Sequence, residues 1–106
     1  MAWVYLFFAG IFEVVWSVAM KESHGFSRLV PSIITIVFML LSFALLSVAM
    51  KTLPLGTSYT VWVGIGAVGA FILGVTLFGE SLSPLRVVAA LLIFSGVVLL
   101  KFATKD

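Results

Sequence analysis

The sequence predicts an all-α integral membrane protein built as a four-helix bundle, and three observations carry that expectation. Hydrophobic residues make up 63% of the 106 residues and charged ones only 9%, against about 25% charged in an ordinary soluble domain. The apolar residues gather into four runs, three of them of membrane-spanning length and the fourth shorter. The links between those runs are short and rich in turn-forming residues. Too little polar sequence remains to cover a water-soluble globule, so residues 1–106 are expected to form a single transmembrane domain.

The spans are expected at about residues 2–20, 29–50, 55–78 and 84–102. A spanning helix needs about 20 residues at 1.5 Å each. The first three runs qualify directly. The fourth qualifies once Pro84 to Arg86 and Lys101 to Phe102 extend it, with Arg86 and Lys101 reaching to the interfaces. In the first span, Trp3 and Tyr5 stand at a helix end, where aromatic side chains form an interfacial belt. "SVA" (Ser17 to Ala19) resembles a signal-cleavage site, but the first residues carry no Lys or Arg and Glu13 interrupts the apolar run, so cleavage is not expected. The links "KESHGFSR", "KTLPLGT" and "GESLSP" hold the Gly, Pro, Ser and Thr of turns. Their shortness forces consecutive helices to run antiparallel in a compact bundle.

"SVAMK" occurs twice, at Ser17–Lys21 and Ser47–Lys51. Both copies end a span, where a Lys complements the negative end of the helix dipole. With four spans, the termini and the middle link share one membrane face. That face carries Lys51, Lys101 and Lys105, and the other carries Lys21, Arg28 and Arg86. Three charges against three leave the positive-inside rule without a preference. Insertion in both directions, and with it an antiparallel dual-topology homodimer, is therefore permitted. The alternative is one orientation set by a subtler bias.

Composition also excludes classes. No Lys/Arg cluster points to nucleic acid. Zero cysteines and one His (His24) offer no disulfide and no metal set. No nucleophile–base pair is in view, so an enzyme is not expected, and no cofactor is called for.

Glu13, in "AGIFEVVWSVAMK", is the single acidic position inside a span. An acidic side chain at the centre of a membrane helix costs roughly 3 kcal/mol, and such residues mark ion and substrate pathways. Positions three and four away share its face, which places Ala9, Gly10, Trp16 and Ser17 beside it. Small residues, a large aromatic and a hydroxyl describe a lined cavity, with Ala9 and Gly10 as its walls. The alternative is a carboxyl that ties helices together by hydrogen bonds.

Depth selects its partners. Counted from the face bearing the termini at 1.5 Å per residue, Glu13 lies roughly 16 Å deep, Ser42 roughly 12 Å, Trp62 roughly 10 Å and Tyr59 roughly 6 Å. These values allow one site. Tyr59 and Trp62 read equally well as belt aromatics, and Ser42 could bond back to its own helix. Trp16 is too deep for the belt. In the third span, Gly66, Ala70 and Gly74 form a small-xxx-small stripe suited to close helix approach. Gly64 and Gly66 lower the cost of a bend there. In the fourth, Ala89, Ser95 and Gly96 offer a contact for a second copy.

Four short helices with "FEVVWSVAMK", "HGFSRLVPS", "LPLGTSYTVWVGIGAVGA" and "GESLSP" in this order resemble the small multidrug resistance family over nearly the whole chain. Trp16, three residues after the carboxylate, is similar to the mark of the guanidinium exporter subgroup. The exporters of polyaromatic cations usually have a small residue there. The resemblance implies a bacterial inner-membrane antiparallel homodimer that exchanges protons for a cation at a site holding both copies of Glu13. It also implies a binding shell of Trp16, Ser42, Tyr59 and Trp62 and a helix bend at Gly64 to Gly66. Ser58 and Thr60 stand where Ala is usual in the family, and Val63 where Thr is usual.

The residues support such a mechanism independently. A cation and protons compete for the same carboxylates, so binding one releases the other. Alternating access needs two halves related by inversion with the site near the midplane, and two oppositely inserted copies would provide them. Guanidinium is planar with several N–H donors, pairs with carboxylates in a bidentate fashion and stacks on Trp. A bulky cation would need the room that Trp16 fills. The competing expectations are a broad exporter of quaternary ammonium compounds and a passive cation pore ringed by Glu13.

Overall fold

A computed structural model describes residues 2–104. They form four α-helices, α1 (Ala2–Glu22), α2 (Leu29–Ala49), α3 (Leu55–Phe78) and α4 (Pro84–Ala103). Their lengths run from 20 to 24 residues, and each is apolar enough to cross a membrane. Against the expected spans, α1 continues two residues further, to Glu22, while α2 ends one residue earlier and α4 one later. Lys105, counted in the charge balance, lies outside the described residues.

Local chemistry stops and starts each helix. After α1 the buried Ser23 hydroxyl donates to the Met20 carbonyl at 2.6 Å and accepts from the Phe26 N–H at 3.0 Å. The chain then reverses through positive φ at His24, Gly25 and Phe26. Pro54 precedes α3, and Gly79, in the left-handed region at φ 66°, ends it. Ser83 caps α4 by accepting from the Arg86 N–H at 3.2 Å, with Pro84 opening the helix.

The arrangement differs from the compact bundle expected above. Among the described residues, α1 packs on α2 and α3, whereas α4 packs mainly on α3 and reaches α1 only near the chain ends, where Lys101 lies over Trp3. The Cα atoms span 42 × 34 × 16 Å, so the four helices spread into a slab. None of the described residues of α4 is buried. The physical reason lies in the contact residues. Lipid tails are as apolar as Leu, so helices associate in a bilayer chiefly where small residues let backbones close in. The α1–α3 contact has three such glycines, whereas Gly64 is the one glycine at which α4 closes on α3.

The buried cluster of Leu6, Ala9, Leu46, Ala49, Leu53, Val61 and Trp62 joins α1, α2 and α3 in the half of the slab nearer the chain ends. There the Lys101 ammonium lies 4.7 Å from the centre of the Trp3 ring, and the Thr57 and Thr104 hydroxyls are 3.1 Å apart. Trp3 is packed against the cluster, with its indole nitrogen buried, instead of standing out as a belt residue. Tyr5 is exposed, as a belt residue would be.

Candidate functional site

α1 and α3 run parallel, and their contact is a ladder. A Cβ on Gly10 would meet the Ile65 side chain at 2.5 and 2.7 Å. A Cβ on Gly66 would collide with the Glu13 carboxyl, and one on Gly69 with Val14. Ser17, Lys21, Ala70 and Gly74 continue the line further along, where they border one small cavity. The stripe of Gly66, Ala70 and Gly74 thus faces Glu13, Ser17 and Lys21. In the single chain Ile65 packs directly against Gly10.

Glu13 is half-buried between these helices. Its Oε1 atom is buried and has no hydrogen-bond partner among the described residues. The alternative, a carboxyl that ties helices together by hydrogen bonds, would require such a partner. The glycine at position 66 is what lets the carboxyl lie against the α3 backbone.

One turn toward the chain ends, a hydrogen-bonded relay joins three helices. The Trp62 indole N–H donates to the Ser42 hydroxyl at 2.8 Å, and that hydroxyl donates to the Ala9 carbonyl at 2.7 Å. Ser42 is fully buried and bonds across to α1 instead of back to its own helix. The Ala9 carbonyl is the one that α-helical pairing assigns to the Glu13 N–H. The relay therefore fixes the turn of α1 that carries the carboxylate. Each buried bond of this kind contributes about 1 kcal/mol. Trp62 is buried, which separates it from the belt, and its ring meets Phe43 at 5.6 Å and Tyr59 at 5.7 Å. Tyr59, beside Trp62, is half-exposed.

Trp16 packs against the buried cluster, and its indole N–H is buried without a partner among the described residues. The chain thus brings Ser42, Trp62 and Ala9 into direct contact, sets Tyr59 beside Trp62 and seats Glu13 on Gly66. Within one chain neither Trp16, Ser42 nor Tyr59 donates a hydrogen bond to the buried Glu13 oxygen. α3 is one α-helix from Leu55 to Phe78, in which Gly66 admits Glu13 and Gly64 admits Val97 of α4. Sequence reasoning missed Gly69, whose spacing of three from Gly66 was the available signal. It also missed the Ala9 carbonyl, a backbone acceptor that no residue type announces.

Comparison with known proteins agrees with this architecture. The model of the family described as Small Multidrug Resistance protein matches residues 1–93. A guanidinium exporter from Salmonella typhimurium is 58% identical over 103 residues, covering 97% of this chain and 98% of its own. A guanidinium exporter from Citrobacter freundii is 56% identical over 104 residues, covering 98% and 99% respectively. One from Escherichia coli K12 is 55% identical over 104 residues, with the same coverage. Four membrane-spanning helices and these bacterial relatives make it a multi-pass protein of the bacterial inner membrane. By match to the family model and by its full-length relatives, the chain belongs to the small multidrug resistance family of membrane transporters.

Proposed function

We propose that the chain is a proton-coupled antiporter that exports guanidinium and small guanidinyl cations, working as an antiparallel homodimer with Glu13 of each copy in one shared site. The observation that carries the reading is the Glu13 oxygen, buried mid-span, unpartnered among the described residues and pressed against Gly66. A group this costly to hold in a membrane gains its partner from the cation and from the second copy. The names of the relatives support guanidinium as that cation.

The mechanism follows from competition. Two carboxylates that accept either protons or one flat cation cannot hold both, so protons arriving from outside release the cation there. Ser42 and Trp62 hold the Glu13 turn in place, and Trp16 limits the space to small planar cations. Two oppositely inserted copies supply the inverted halves that alternating access requires. A bend of α3 at Gly64 to Gly66 is the proposed moving part, since these glycines lie where α3 meets α4 and Glu13.

The test is uptake by proteoliposomes holding the full chain, with guanidinium and a bulky aromatic cation assayed side by side. A pH gradient should drive guanidinium against its own gradient, and lowering the pH on both sides should raise its half-saturating concentration. Guanidinium conductance without proton movement would favour the pore. Equal transport of both cations would favour the broad exporter.

A further inference from the structure

The Glu13 seam does not end at Ser17. At the membrane face opposite the chain ends, α3 stops at Gly79, and the Gly79 and Glu80 N–H groups both donate to the Gly74 carbonyl. This turn folds the Glu80 side chain back over α3. A Cβ on Gly74 would meet Glu80 Oε1 at 2.6 Å, so the glycine is what admits the carboxyl. Beside it lies a cavity of 130 Å³ bordered by Ser17, Lys21, Ala70, Gly74 and Glu80. Ser17 and Lys21 stand one and two turns beyond Glu13 on the same face of α1, and Ala70 and Gly74 stand likewise beyond Gly66 on α3. The cavity therefore continues the seam outward, about 12 Å from Glu13 to Lys21 by helical rise.

The Glu80 carboxylate already pairs with one guanidinium, that of Arg86. The Arg86 guanidinium lies 3.2 Å from Glu80 Oε1, donates to the Ser81 carbonyl at 2.6 Å and sits 5.1 Å from the centre of the Phe71 ring. A carboxylate, a carbonyl and an aromatic face are the partners that suit a planar guanidinium. The two side chains of the ion pair are 37% and 42% exposed, and ion pairs in contact with water are weak and readily exchanged. Lys21 borders the same cavity, its ammonium 5.7 Å from the Phe78 ring. Glu80 is thus the single carboxylate among the described groups that border this cavity, facing Lys21 and Arg86.

We propose that Glu80 is an outer station for guanidinium cations, at which a free guanidinium takes the place of the tethered guanidinium of Arg86. The inference deepens the transport reading above and rests on it for the choice of cation. Arg86 neutralises the carboxylate between visits, and a cation without planar N–H donors, such as sodium, replaces it poorly.

The chain has two arginines, Arg28 and Arg86, so their side-chain Nε–H signals are resolvable by NMR of the full chain in lipid nanodiscs. Glu13→Gln protein serves as background, because it removes binding at the central carboxylate. Guanidinium chloride should shift one arginine signal saturably, that signal should be missing in Arg86→Lys, and equal sodium chloride should leave it in place. Glu80→Gln should abolish the shift and Glu80→Asp should retain it. In proteoliposomes with Glu13 intact, Glu80→Gln should raise the half-saturating guanidinium concentration at least threefold. An Arg86 signal that guanidinium leaves unmoved, or that sodium moves equally, overturns the station. Native vesicles that take up no guanidinium while the Arg86 signal still shifts would refute the transport reading and support the station.

Discussion

The contacts that α3 makes with α1 and with α4 differ in kind. On one side it meets α1 through Gly10, Gly66 and Gly69, with Glu13 lying directly on the backbone. On the other it meets α4 through Gly64 against Val97, and none of the described residues of α4 is buried. Both neighbours are apolar helices of spanning length, so hydropathy does not distinguish them. What distinguishes them is the placement of small residues, because close approach, not burial of apolar surface, holds helices together in lipid. The proposed site lies at the tight contact. The loose one leaves α4 with a long apolar surface, which in the proposed dimer is free to meet a second copy.

The largest expected effect comes from removing the charge at the tight contact. Glu13→Gln keeps the shape and some hydrogen bonding but can neither titrate nor bear a charge. Proton-driven guanidinium uptake should fall at least a hundredfold while the helical content by circular dichroism is unchanged. Uptake at the parent rate would remove Glu13 from the mechanism.

Next comes the surface on which the carboxylate rests. A methyl group at Gly66 collides with the Glu13 carboxyl, and overpacking of this kind costs about 1–3 kcal/mol. Gly66→Ala should therefore lower guanidinium affinity about tenfold or more, with the protein still inserted in the membrane. Calorimetric titration of the purified protein with guanidinium measures this directly. Unchanged affinity would show that the carboxylate is not held by this contact.

Trp16 tests size selection at the same site. Trp16→Gly opens space on the carboxylate face and removes an indole N–H that is buried without a partner. Guanidinium uptake should fall severalfold, and the ratio of bulky aromatic cation to guanidinium transported should rise. The rise is limited by collapse of neighbouring side chains into the gap. An unchanged ratio would reduce the indole to packing.

How much of this was readable beforehand divides along the same line. The four spans were legible, because each is a long apolar run bounded by turn residues and no other fold accommodates that pattern. Glu13 was legible because a lone carboxylate in such a run is costly. Depth arithmetic put Ser42 and Trp62 close to one level, and their 2.8 Å hydrogen bond agrees with it. The acceptor at the end of that relay was not legible, since a backbone carbonyl leaves no mark on a sequence. The isolation of α4 was not legible either. Short links imply neighbours in sequence, but they do not say whether a fourth helix closes onto the first or lies out to the side. The stripe of Gly66, Ala70 and Gly74 announced a close approach without naming its partner, which required the parallel pairing of α1 with α3.

The smallest effect is expected where the comparison is weakest, on α4. A Cβ on Gly64 would run into Val97, whereas a Cβ on Gly96 meets no atom within 4 Å. Gly64→Ala should therefore push α4 from α3 and lower thermal stability measurably. Gly96→Ala should leave the single chain unharmed and could even favour its helix, because Ala is better than Gly in a helix interior by about 0.5–1 kcal/mol. Melting temperatures in the same detergent, read by circular dichroism, compare the two variants. If Gly96→Ala loses as much as Gly64→Ala, the Gly96 face of α4 also has a partner within its own chain and the contrast between the two faces of α3 fails. If the melting temperature holds while the dimer fraction by crosslinking drops, Gly96 belongs to the contact between copies. The open face of α4 is then explained by the second chain.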